Sequence, residues 1–307
     1  MKIAFIYSGQ GSQYNGMGKD LYTQYDSIKR HFDRADDIFQ EALTEVMFNV
    51  NTKLDSTRYA QPSIFTFSTA IRDLLEEKGI VSDACAGLSL GEYAAYYDAG
   101  VFDFEQGLRT LIHRAYFMQK SSENRPGKMV ALLGDKNHLQ NLIDAYPGCY
   151  IANLNSATQT VVGGDGETMA KVIEAAKSYG FKRATPLNTS GAFHTPLMAE
   201  AKQAFEQYLA FQPKRPPQKQ LYLNTTGTRY KGEDLHSVMS DQIVQPVQFE
   251  AMIDAMVQDG IDVFIEIGPK DVLKKLIKKQ VNNQPVFHIE NSQTLLDTIE
   301  ALKELNQ

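Results

Sequence analysis

A serine stands between two glycines in the stretch Gly-Leu-Ser-Leu-Gly at 87–91. This GxSxG pattern is typical of a nucleophile elbow, in which a strand turns sharply into a helix and exposes a serine hydroxyl. An apolar run precedes Ser89 and a helical pattern follows it, so the N-terminal N–H groups of that helix would stabilise a tetrahedral acyl intermediate. A glycine-rich turn with an incidental serine is the alternative. The context favours Ser89 as a nucleophile for acyl transfer.

A serine hydroxyl is a weak nucleophile until a base accepts its proton, so a histidine is required within reach. In the stretch NTSGAFHTPLM, His194 follows a strand and a Ser-Gly turn, and loops held by a rigid sheet are where catalytic bases usually lie. His288 in PVFHIE is the competitor, but the alternation around it favours a strand residue. We therefore predict His194 as the base. Polar helix faces and a charged loop hold the remaining histidines, expected to be ordinary surface residues: His31, His113, His138 and His236.

A third candidate is Arg114, at the edge of the apolar helical stripe that includes Leu111 and Met118. This position allows a buried stem with the guanidinium entering a cleft. The planar fork of arginine matches a carboxylate through two parallel hydrogen bonds. The same spacing also fits a solvated or structurally paired arginine, so spacing alone leaves both interpretations open.

The loop after the first apolar run, GQGSQ at 9–13, resembles part of a dinucleotide-binding fingerprint. It fails that pattern because Tyr14 stands where the third glycine belongs, and no acidic partner follows a second strand convincingly. A tight loop here would instead lend a backbone N–H to an oxyanion, with the glycines permitting close approach. A plain turn is the alternative.

Buried strands and amphipathic helices must hold these side chains in place. Residues 3–7 form a continuous apolar run that stops at Ser8, as a buried strand entering a loop does. Asp103 can cap a helix together with Gln106, three positions on. Further apolar runs predict core strands over 221–224 and 262–268, and helical spacing predicts helices over about 18–39 and 64–78.

From Lys128 the pattern changes to a compact series of short elements. The order βαββαβ is the ferredoxin-like arrangement. We therefore predict a small inserted subdomain at 127–187, with 1–126 and 188–307 forming the large domain. The elements are the strand MVALLG, a helix over 137–145, the strands YIANLN and QTVVGG, a helix over 167–178 and the strand KRATPL.

Composition excludes several classes of protein. With 43% hydrophobic and 22% charged residues among 307, the chain is an ordinary globular protein. A net charge of −6 argues against nucleic acid as the main partner. The two cysteines are far apart, which supports neither a disulfide framework nor a metal site. The apolar start of the chain is too short for a signal peptide or a membrane span, so we expect a cytoplasmic protein.

Six motifs in register resemble those of the malonyl-CoA:acyl carrier protein transacylase family, and the match runs from residue 1 to about 280. The resemblance implies an α/β fold, with an α/β-hydrolase-like parallel-sheet core and the ferredoxin-like insert. It also implies a ping-pong transfer of malonyl from coenzyme A to the phosphopantetheine thiol of a carrier protein. The motifs are GQGSQ (9–13), GLSLGEY (87–93), Arg114, GAFHTPLM (191–198), QPVQF (245–249) and EIGPKDVL (266–273).

The resemblance implies a role for each matching residue of the reacting centre. Ser89 would be the acylated nucleophile. His194 would be its base and later the acid that protonates the leaving thiol. The backbone N–H groups of Gln10 and Leu90 would be the oxyanion donors, and Arg114 would clamp the free malonyl carboxylate.

Other matches concern the surroundings of that centre. The family orients its histidine with a backbone carbonyl, for which Gln248 is the matching position. Phe193 resembles the malonyl-selecting members, and Asn155 resembles the family's asparagine near the acyl pocket. Leu88 stands beside the nucleophile where many members have histidine. The pair Lys270-Asp271 replaces the usual Gly-Lys, which puts the conformation of that loop in question.

The resemblance also implies the partners: malonyl-CoA and an acidic acyl carrier protein. No metal or organic cofactor is implied, because the thioester already carries the activation, and we expect a monomer. The basic stretch KKLIKKQ at 274–280 is a candidate docking face, or else a solvated helix face. Fatty-acid synthesis is the expected pathway, with trans action on a polyketide synthase as the alternative.

Two other functions fit parts of the pattern. A hydrolase would use the same Ser89 and His194 to pass an acyl group to water, but related editing hydrolases generally lack the carboxylate clamp that Arg114 would provide. A carrier-binding scaffold would require the nucleophile and base to be absent, and both residue types are present.

Overall fold

The computed structural model describes residues 1–305, which divide into two compact units. The first unit comprises Met1–Ala115, Pro213–Tyr222 and the chain from Ala255 onward. The second comprises Tyr116–Gln212 and Leu223–Asp254. A parallel sheet belongs to the first unit and a separate antiparallel sheet to the second. The expected mixed α/β class is therefore confirmed.

Five parallel strands form the sheet of the first unit. Their bounds are β1 Ile3–Tyr7, β2 Ala84–Gly87, β7 Gln220–Leu221, β8 Val263–Ile267 and β9 Val286–Ile289. The strands lie in the order β7-β2-β1-β8-β9. Every residue of β2 and β8 is buried, as expected for strands of a parallel sheet that is covered on both faces. The strand predicted over 221–224 is shorter than expected, since only its first residue pairs within β7.

The carboxyl ends of three strands are level with one another. Tyr7 at the end of β1 pairs with Gly87 of β2 and with Ile267 of β8. The loops that begin at Ser8, at residue 88 and at residue 268 therefore leave the same edge of the sheet. In parallel α/β sheets, ligands bind at this edge.

Two predicted helices of the first unit differ from their predicted bounds. The predicted helix over 18–39 is two helices, because Tyr25 is extended, with φ −126° and ψ 113°, and interrupts it. The predicted helix over 64–78 already begins at Thr57, because buried polar side chains hide the apolar period of its first turns. The bounds are α1 Lys19–Gln24, α2 Asp26–Phe39, α3 Leu43–Phe48, α4 Thr57–Glu77, α5 Gly91–Asp98, α12 Val272–Ile277 and α13 Ser292–Leu305.

The long helix α6, Phe104–Asn124, begins in the first unit and ends in the second. Its predicted cap is present, since the Asp103 carboxylate accepts the backbone N–H of Gln106 at 2.9 Å. Leu111 and Met118 of the predicted stripe are buried.

Four antiparallel strands and two helices form the centre of the second unit. The predicted order βαββαβ is present as β3 Lys128–Gly134, α7 Leu139–Ala145, β4 Tyr150–Ser156, β5 Gln159–Gly164, α8 Gly166–Ala175 and β6 Phe181–Pro186. The strand order is β4-β5-β3-β6. Apolar side chains of the sheet and of both helices share one core, including Val130, Leu142 and Val172. All six elements lie within the predicted insert 127–187, whose boundaries stay a prediction, because the compact unit also includes residues outside that range.

Three further helices complete the second unit: α9 Ala199–Leu209, α10 Leu235–Asp241 and α11 Phe249–Gln258, the last of which ends in the first unit. A parallel bridge between Asn153 and Val247 connects the segment before α11 to the sheet. No helix within residues 1–305 has the length and apolarity needed to cross a membrane.

Candidate active site

Ser89 occupies the sharp turn between β2 and α5. Its φ of 56° lies in the left-handed region, which costs a non-glycine residue about 1–3 kcal/mol and marks functional turns. Gly87 and Gly91, on either side of this turn, have no room for a side chain. A Cβ on Gly87 would lie 2.1 Å from the carbonyl carbon of Gly91, and one on Gly91 would lie 2.1 Å from the Tyr7 oxygen. The strand-turn-helix context predicted for this motif is present.

The loop after β1 packs directly against the Ser89 turn. A Cβ on Gly9 would lie 2.7 Å from the Leu88 carbonyl oxygen, and the Leu88 N–H donates to the Tyr7 oxygen at 3.0 Å. Leu88 is half-buried. Gln10 follows in this loop, while Leu90 is the N-cap residue of α5, whose first N–H groups lack acceptors within the helix. Gly9 therefore allows the loop after β1 to lie against the Ser89 turn.

The Arg114 guanidinium is buried beside the serine. Its Nη2 donates to the Ser89 Oγ at 3.4 Å, and its Nη1 donates to the Gln61 Oε1 at 2.8 Å. The Arg114 Cζ lies 5.2 Å from the centre of the Tyr93 ring, a cation–π distance. Arg114 is 0% exposed, so the solvated interpretation of this residue is wrong. Burial lowers the pKa of its guanidinium, although Tyr93 and Glu92 act in the opposite direction.

His194 lies in the second unit and is buried, with a φ of 61° in the left-handed region. Its backbone N–H donates to the Ile243 oxygen at 3.0 Å, which holds the strained position. The Nδ1 atom lies 2.6 Å from the backbone oxygen of Gln242. Because a carbonyl can only accept, Nδ1 must carry the proton. Nε2 of the neutral ring is then the atom that can accept a proton.

Phe193 and Asn155 are also buried residues of the second unit. Phe193 directly precedes His194 in the chain. Asn155, on β4, donates through Nδ2 to the Gln159 Oε1 at 3.0 Å. Its buried Oδ1 has no hydrogen-bond partner within residues 1–305. A buried acceptor without a donor is costly, so this oxygen suits a ligand that donates a hydrogen bond.

Comparison with known proteins identifies the family. The family model of the acyl transferase domain matches residues 4–296. The chain belongs to the acyl transferase domain family. This acyl transferase is 35% identical to the malonyl CoA-acyl carrier protein transacylase of Bacillus subtilis strain 168, over 99% of this chain and 98% of that protein. The resemblance drawn from the six motifs is thereby confirmed.

Solved structures agree with the sequence comparison. A malonyl CoA-acyl carrier protein transacylase from Clostridium perfringens superposes on this acyl transferase with a TM-score of 0.95, at 31% identity, over 100% of this chain and 98% of that one. A second similar structure is a malonyl-transacylase in complex with its type II PKS acyl-carrier protein. It has a TM-score of 0.93 and 29% identity over 98% of this chain and 100% of that one.

The carbonyl that orients the histidine of this acyl transferase belongs to Gln242, and the prediction of Gln248 is wrong. Gln242 is the C-cap residue of α10, and the carbonyl groups at a helix C-terminus have no N–H donor within the helix. The Gln248 carbonyl instead accepts the N–H of Met252 at 3.0 Å, as part of the first turn of α11. Gln242 and Gln248 lie on either side of the segment 243–247. The QPVQF motif therefore indicated the correct region, but the end of α10 and the start of α11 determine which carbonyl is available to His194.

His288, the competing base, lies on β9 as predicted from its alternation. In the sheet of this acyl transferase, β1 and β8 separate β9 from β2, which places the two strands roughly 14 Å apart at the usual strand spacing. Burial lowers the pKa of His288. This position does not suit a base for Ser89. Among the other histidines, His31 is not an ordinary surface residue, since it contacts the Thr69 Oγ1 at 2.9 Å and Asp73 at 3.3 Å.

Glu266, in the motif at 266–273, bonds Ser8 at the start of the loop that contains Gln10. Glu266 is buried, and its carboxylate accepts from the Ser8 hydroxyl at 2.9 Å and from the N–H groups of Leu273 and Lys274 at 3.1 and 2.7 Å. Burial raises the pKa of Glu266 to about 7, against the effect of these donors. This carboxyl thus connects the end of β1 with the first turn of α12.

Lys270 replaces the family's usual glycine at a position that favours glycine. Its φ is 59°, a conformation that glycine adopts freely and other residues adopt at a cost. Lys270 is held there by its N–H, which donates to the Glu290 Oε2 at 2.8 Å, and by its ammonium, which donates to the Gly11 oxygen at 3.3 Å. The loop therefore has a glycine-type backbone although the residue is lysine.

Sequence reasoning missed one polar residue of this site. Gln61 contacts Arg114 and also donates through Nε2 to the Gln10 Oε1 at 3.2 Å. Its signal was a glutamine within an apolar helix, directly before Pro62. That helix was predicted to begin only at 64, which left Gln61 outside it. Within residues 1–305 no group of three or more His, Cys, Asp or Glu could hold a metal ion.

Proposed function

We propose that this chain transfers malonyl from coenzyme A to the phosphopantetheine thiol of an acyl carrier protein, through an acyl-enzyme on Ser89. The observation that carries the proposal is the buried Arg114, whose Nη2 lies 3.4 Å from the Ser89 Oγ. In a malonyl ester, the free carboxylate is only a few bonds from the serine oxygen. A buried guanidinium at this distance therefore suits an acyl group with a second, anionic end.

In the first half-reaction, the neutral His194 Nε2 accepts the Ser89 proton as Oγ attacks the thioester carbonyl. The oxyanion accepts hydrogen bonds from the N–H of Gln10, in the loop after β1, and from the N–H of Leu90, at the start of α5. The C–S bond then breaks, and the imidazolium of His194 protonates the leaving coenzyme A thiolate. The Gln242 carbonyl keeps the proton on Nδ1 throughout. The product is malonyl-Ser89.

In the second half-reaction, His194 accepts the proton of the carrier's phosphopantetheine thiol, and the thiolate attacks malonyl-Ser89. The same N–H groups stabilise the second tetrahedral intermediate. The ester C–O bond breaks, and His194 returns the proton to the Ser89 Oγ. Arg114 holds the malonyl carboxylate through both steps, while Phe193, Asn155 and Leu88 contribute to the acyl pocket.

The proposed protein partner is an acidic acyl carrier protein. Similarity to the structure of a malonyl-transacylase in complex with its acyl-carrier protein supports this choice. The basic stretch after Asp271 supplies a docking face on the first unit, with exposed Lys275, Lys278 and Lys279. Attraction at close range depends on local charge, so a net charge of −6 does not oppose it.

Fatty-acid synthesis is the proposed pathway, supported by similarity to the transacylase of Bacillus subtilis. The similarity to a transacylase bound to a PKS carrier protein favours trans action on a polyketide synthase as the second candidate. A hydrolase is disfavoured by Arg114, since a buried carboxylate clamp adds nothing to the hydrolysis of simple acyl groups.

We further propose an α/β-hydrolase-like core for the first unit, supported by the strand-serine-helix turn, and a ferredoxin-like insert, supported by the strand order β4-β5-β3-β6. The proposed enzyme is a cytoplasmic monomer. Two buried thiols, Cys85 and Cys149, suit a reducing compartment. The proposed enzyme needs no metal or organic cofactor, because the coenzyme A thioester is an activated substrate.

Intact-protein mass spectrometry with a panel of acyl-CoAs tests the proposal. The wild-type chain should gain one malonyl group, and Ser89→Ala should gain none. Ser178→Ala, which changes an exposed serine of the second unit, is the matched control and should label fully. Addition of carrier protein should move the label to the carrier thiol. Full labelling of Ser89→Ala would refute the acyl-enzyme, and release of free malonate without carrier labelling would favour the hydrolase.

A further inference from the structure

Gln61 is a buried amide at a junction of three polar groups. It is 1% exposed and lies in α4, one residue before Pro62. Proline disfavours helical backbone at the residue before it, so a helix that continues through this position needs other interactions to hold it. A buried amide also requires its own hydrogen bonds. The side-chain contacts of Gln61 satisfy its amide and link parts of the site.

The hydrogen bonds around Gln61 run in one direction. The Arg114 Nη1 donates to the Gln61 Oε1 at 2.8 Å, and the Gln61 Nε2 donates to the Gln10 Oε1 at 3.2 Å. The Gln10 Nε2 then donates to the Thr57 Oγ1 at 3.1 Å. At the other end, the Arg114 Nη2 reaches the Ser89 Oγ at 3.4 Å. A continuous chain of side chains thus joins the serine to the loop after β1.

Only an amide side chain satisfies both neighbours of Gln61. An acceptor must face the guanidinium of Arg114, and a donor must face the Gln10 Oε1. Glutamate would supply two acceptors and no donor, and its charge would form an ion pair with Arg114. Methionine would fill a similar volume and supply neither strong bond. The site therefore depends on the chemistry of this residue and not only on its size.

We propose that Gln61 is a positioning residue that aligns the Arg114 guanidinium and the Gln10 loop with Ser89. The inference rests on the proposed function, because it assigns Arg114 to the malonyl carboxylate and the Gln10 N–H to the oxyanion. Gln61 contacts Arg114 and Gln10, to which the proposed mechanism gives different roles. Its contact with Arg114 affects acyl groups that carry a carboxylate, whereas its contact with Gln10 affects every acyl group.

A double-mutant cycle separates the two effects. Gln61→Met, Arg114→Ala and the double variant are loaded with malonyl-CoA and with acetyl-CoA, and kcat/KM is measured for each. Gln61→Met should lower malonyl loading by up to about a hundredfold, the cost of displacing a positioned group by about an ångström, and acetyl loading less. In the Arg114→Ala background, the same substitution should lower both equally, because the clamp is already absent.

Thr69→Val is the matched control in the same helix. Thr69 is buried and bonds His31 and the Phe65 oxygen, so its loss should lower the melting temperature without changing the malonyl-to-acetyl ratio. Gln61→Glu is a second variant of nearly the same shape. Its carboxylate should neutralise the Arg114 clamp and again lower malonyl loading more than acetyl loading.

An unchanged malonyl-to-acetyl ratio in both Gln61 variants would overturn the inference, as would equal losses that match those of Thr69→Val at the same melting temperature. If the wild-type chain loads malonyl in that experiment, the proposed function stands and only the positioning role fails. If the wild type loads no acyl group, both fail together.

Discussion

At the residue scale, the central feature is the buried guanidinium of Arg114. Arg114 bonds Gln61 and Ser89 and faces the Tyr93 ring. Removing a guanidinium from water is costly unless hydrogen bonds and charge compensate, and burial lowers its pKa accordingly. Tyr93 and Glu92 act against that shift, and an incoming malonyl carboxylate would add a charge-assisted pair with the guanidinium. We therefore expect the site to favour acyl groups that carry a carboxylate over acyl groups that do not.

Arg114→Ala should reduce malonyl loading more than acetyl loading. The malonyl carboxylate loses a charge-assisted pair of about 1.5–3 kcal/mol, whereas acetyl has no carboxylate to lose. Measuring kcat/KM for both acyl-CoAs checks this, with Arg109→Ala as the control. Arg109 is an exposed arginine of the same helix, bonded to Glu105. Equal losses for both acyl groups would mean that Arg114 is only structural.

At the element scale, the carboxyl group of Glu266 connects the end of β1 with the first turn of α12. Glu266 on β8 accepts hydrogen bonds from Ser8, after β1, and from the first turn of α12. The loop that carries Gln10 begins at Ser8, so its path depends on this junction. The junction is buried, which makes the ionisation of Glu266 part of the stability of the first unit.

The stability of the chain should depend on the protonation of Glu266. Burial raises the folded-state pKa of this carboxyl from 4.5 to about 7, so the folded state binds the proton more tightly than the unfolded state. The resulting stabilisation is full below the unfolded pKa and is lost as the pH rises through 7. Its upper limit is roughly 3 kcal/mol.

Thermal melts of the wild type and of Glu266→Gln between pH 5 and pH 8 test this expectation. The advantage of the wild type over the variant should shrink as the pH rises, because the variant has no proton to lose at this position. A constant difference across the range would mean that Glu266 has an ordinary pKa.

At the scale of the whole molecule, net charge and local charge have opposite signs. The chain carries −6 overall, yet exposed lysines are concentrated around α12, close in sequence to the junction of Glu266. Opposite charge on a partner would accelerate docking and place it at this side of the first unit. The lysines should therefore matter for the carrier protein and not for the small thioester.

Lys278→Glu combined with Lys279→Glu should raise the KM for carrier protein and weaken its salt dependence. Self-loading from malonyl-CoA should change little. The control is Lys177→Glu with Lys182→Glu, which reverses two exposed charges of the second unit and gives the same net charge. Equal effects of the two double variants on the carrier KM would attribute the change to net charge alone.

Local patterns predicted much of this protein. The apolar run at 3–7, the Asp103 cap and the βαββαβ series are short-range signals, because strand and helix periods repeat within a few residues. The elbow around Ser89 is of the same kind, since its glycines, strand and helix are neighbours in sequence. Six such motifs in order were sufficient to indicate the family.

Only the tertiary structure decided which distant groups meet. The Gln242 carbonyl reaches His194 because α10 ends there, and Gln61 reaches both Arg114 and Gln10 because α4 packs beside them. These contacts join residues separated by tens of positions, and no periodicity encodes them. The sequence by itself determined the reactive residue types and their local turns. Packing decided their partners, because a buried polar group must bond whatever the fold brings to it.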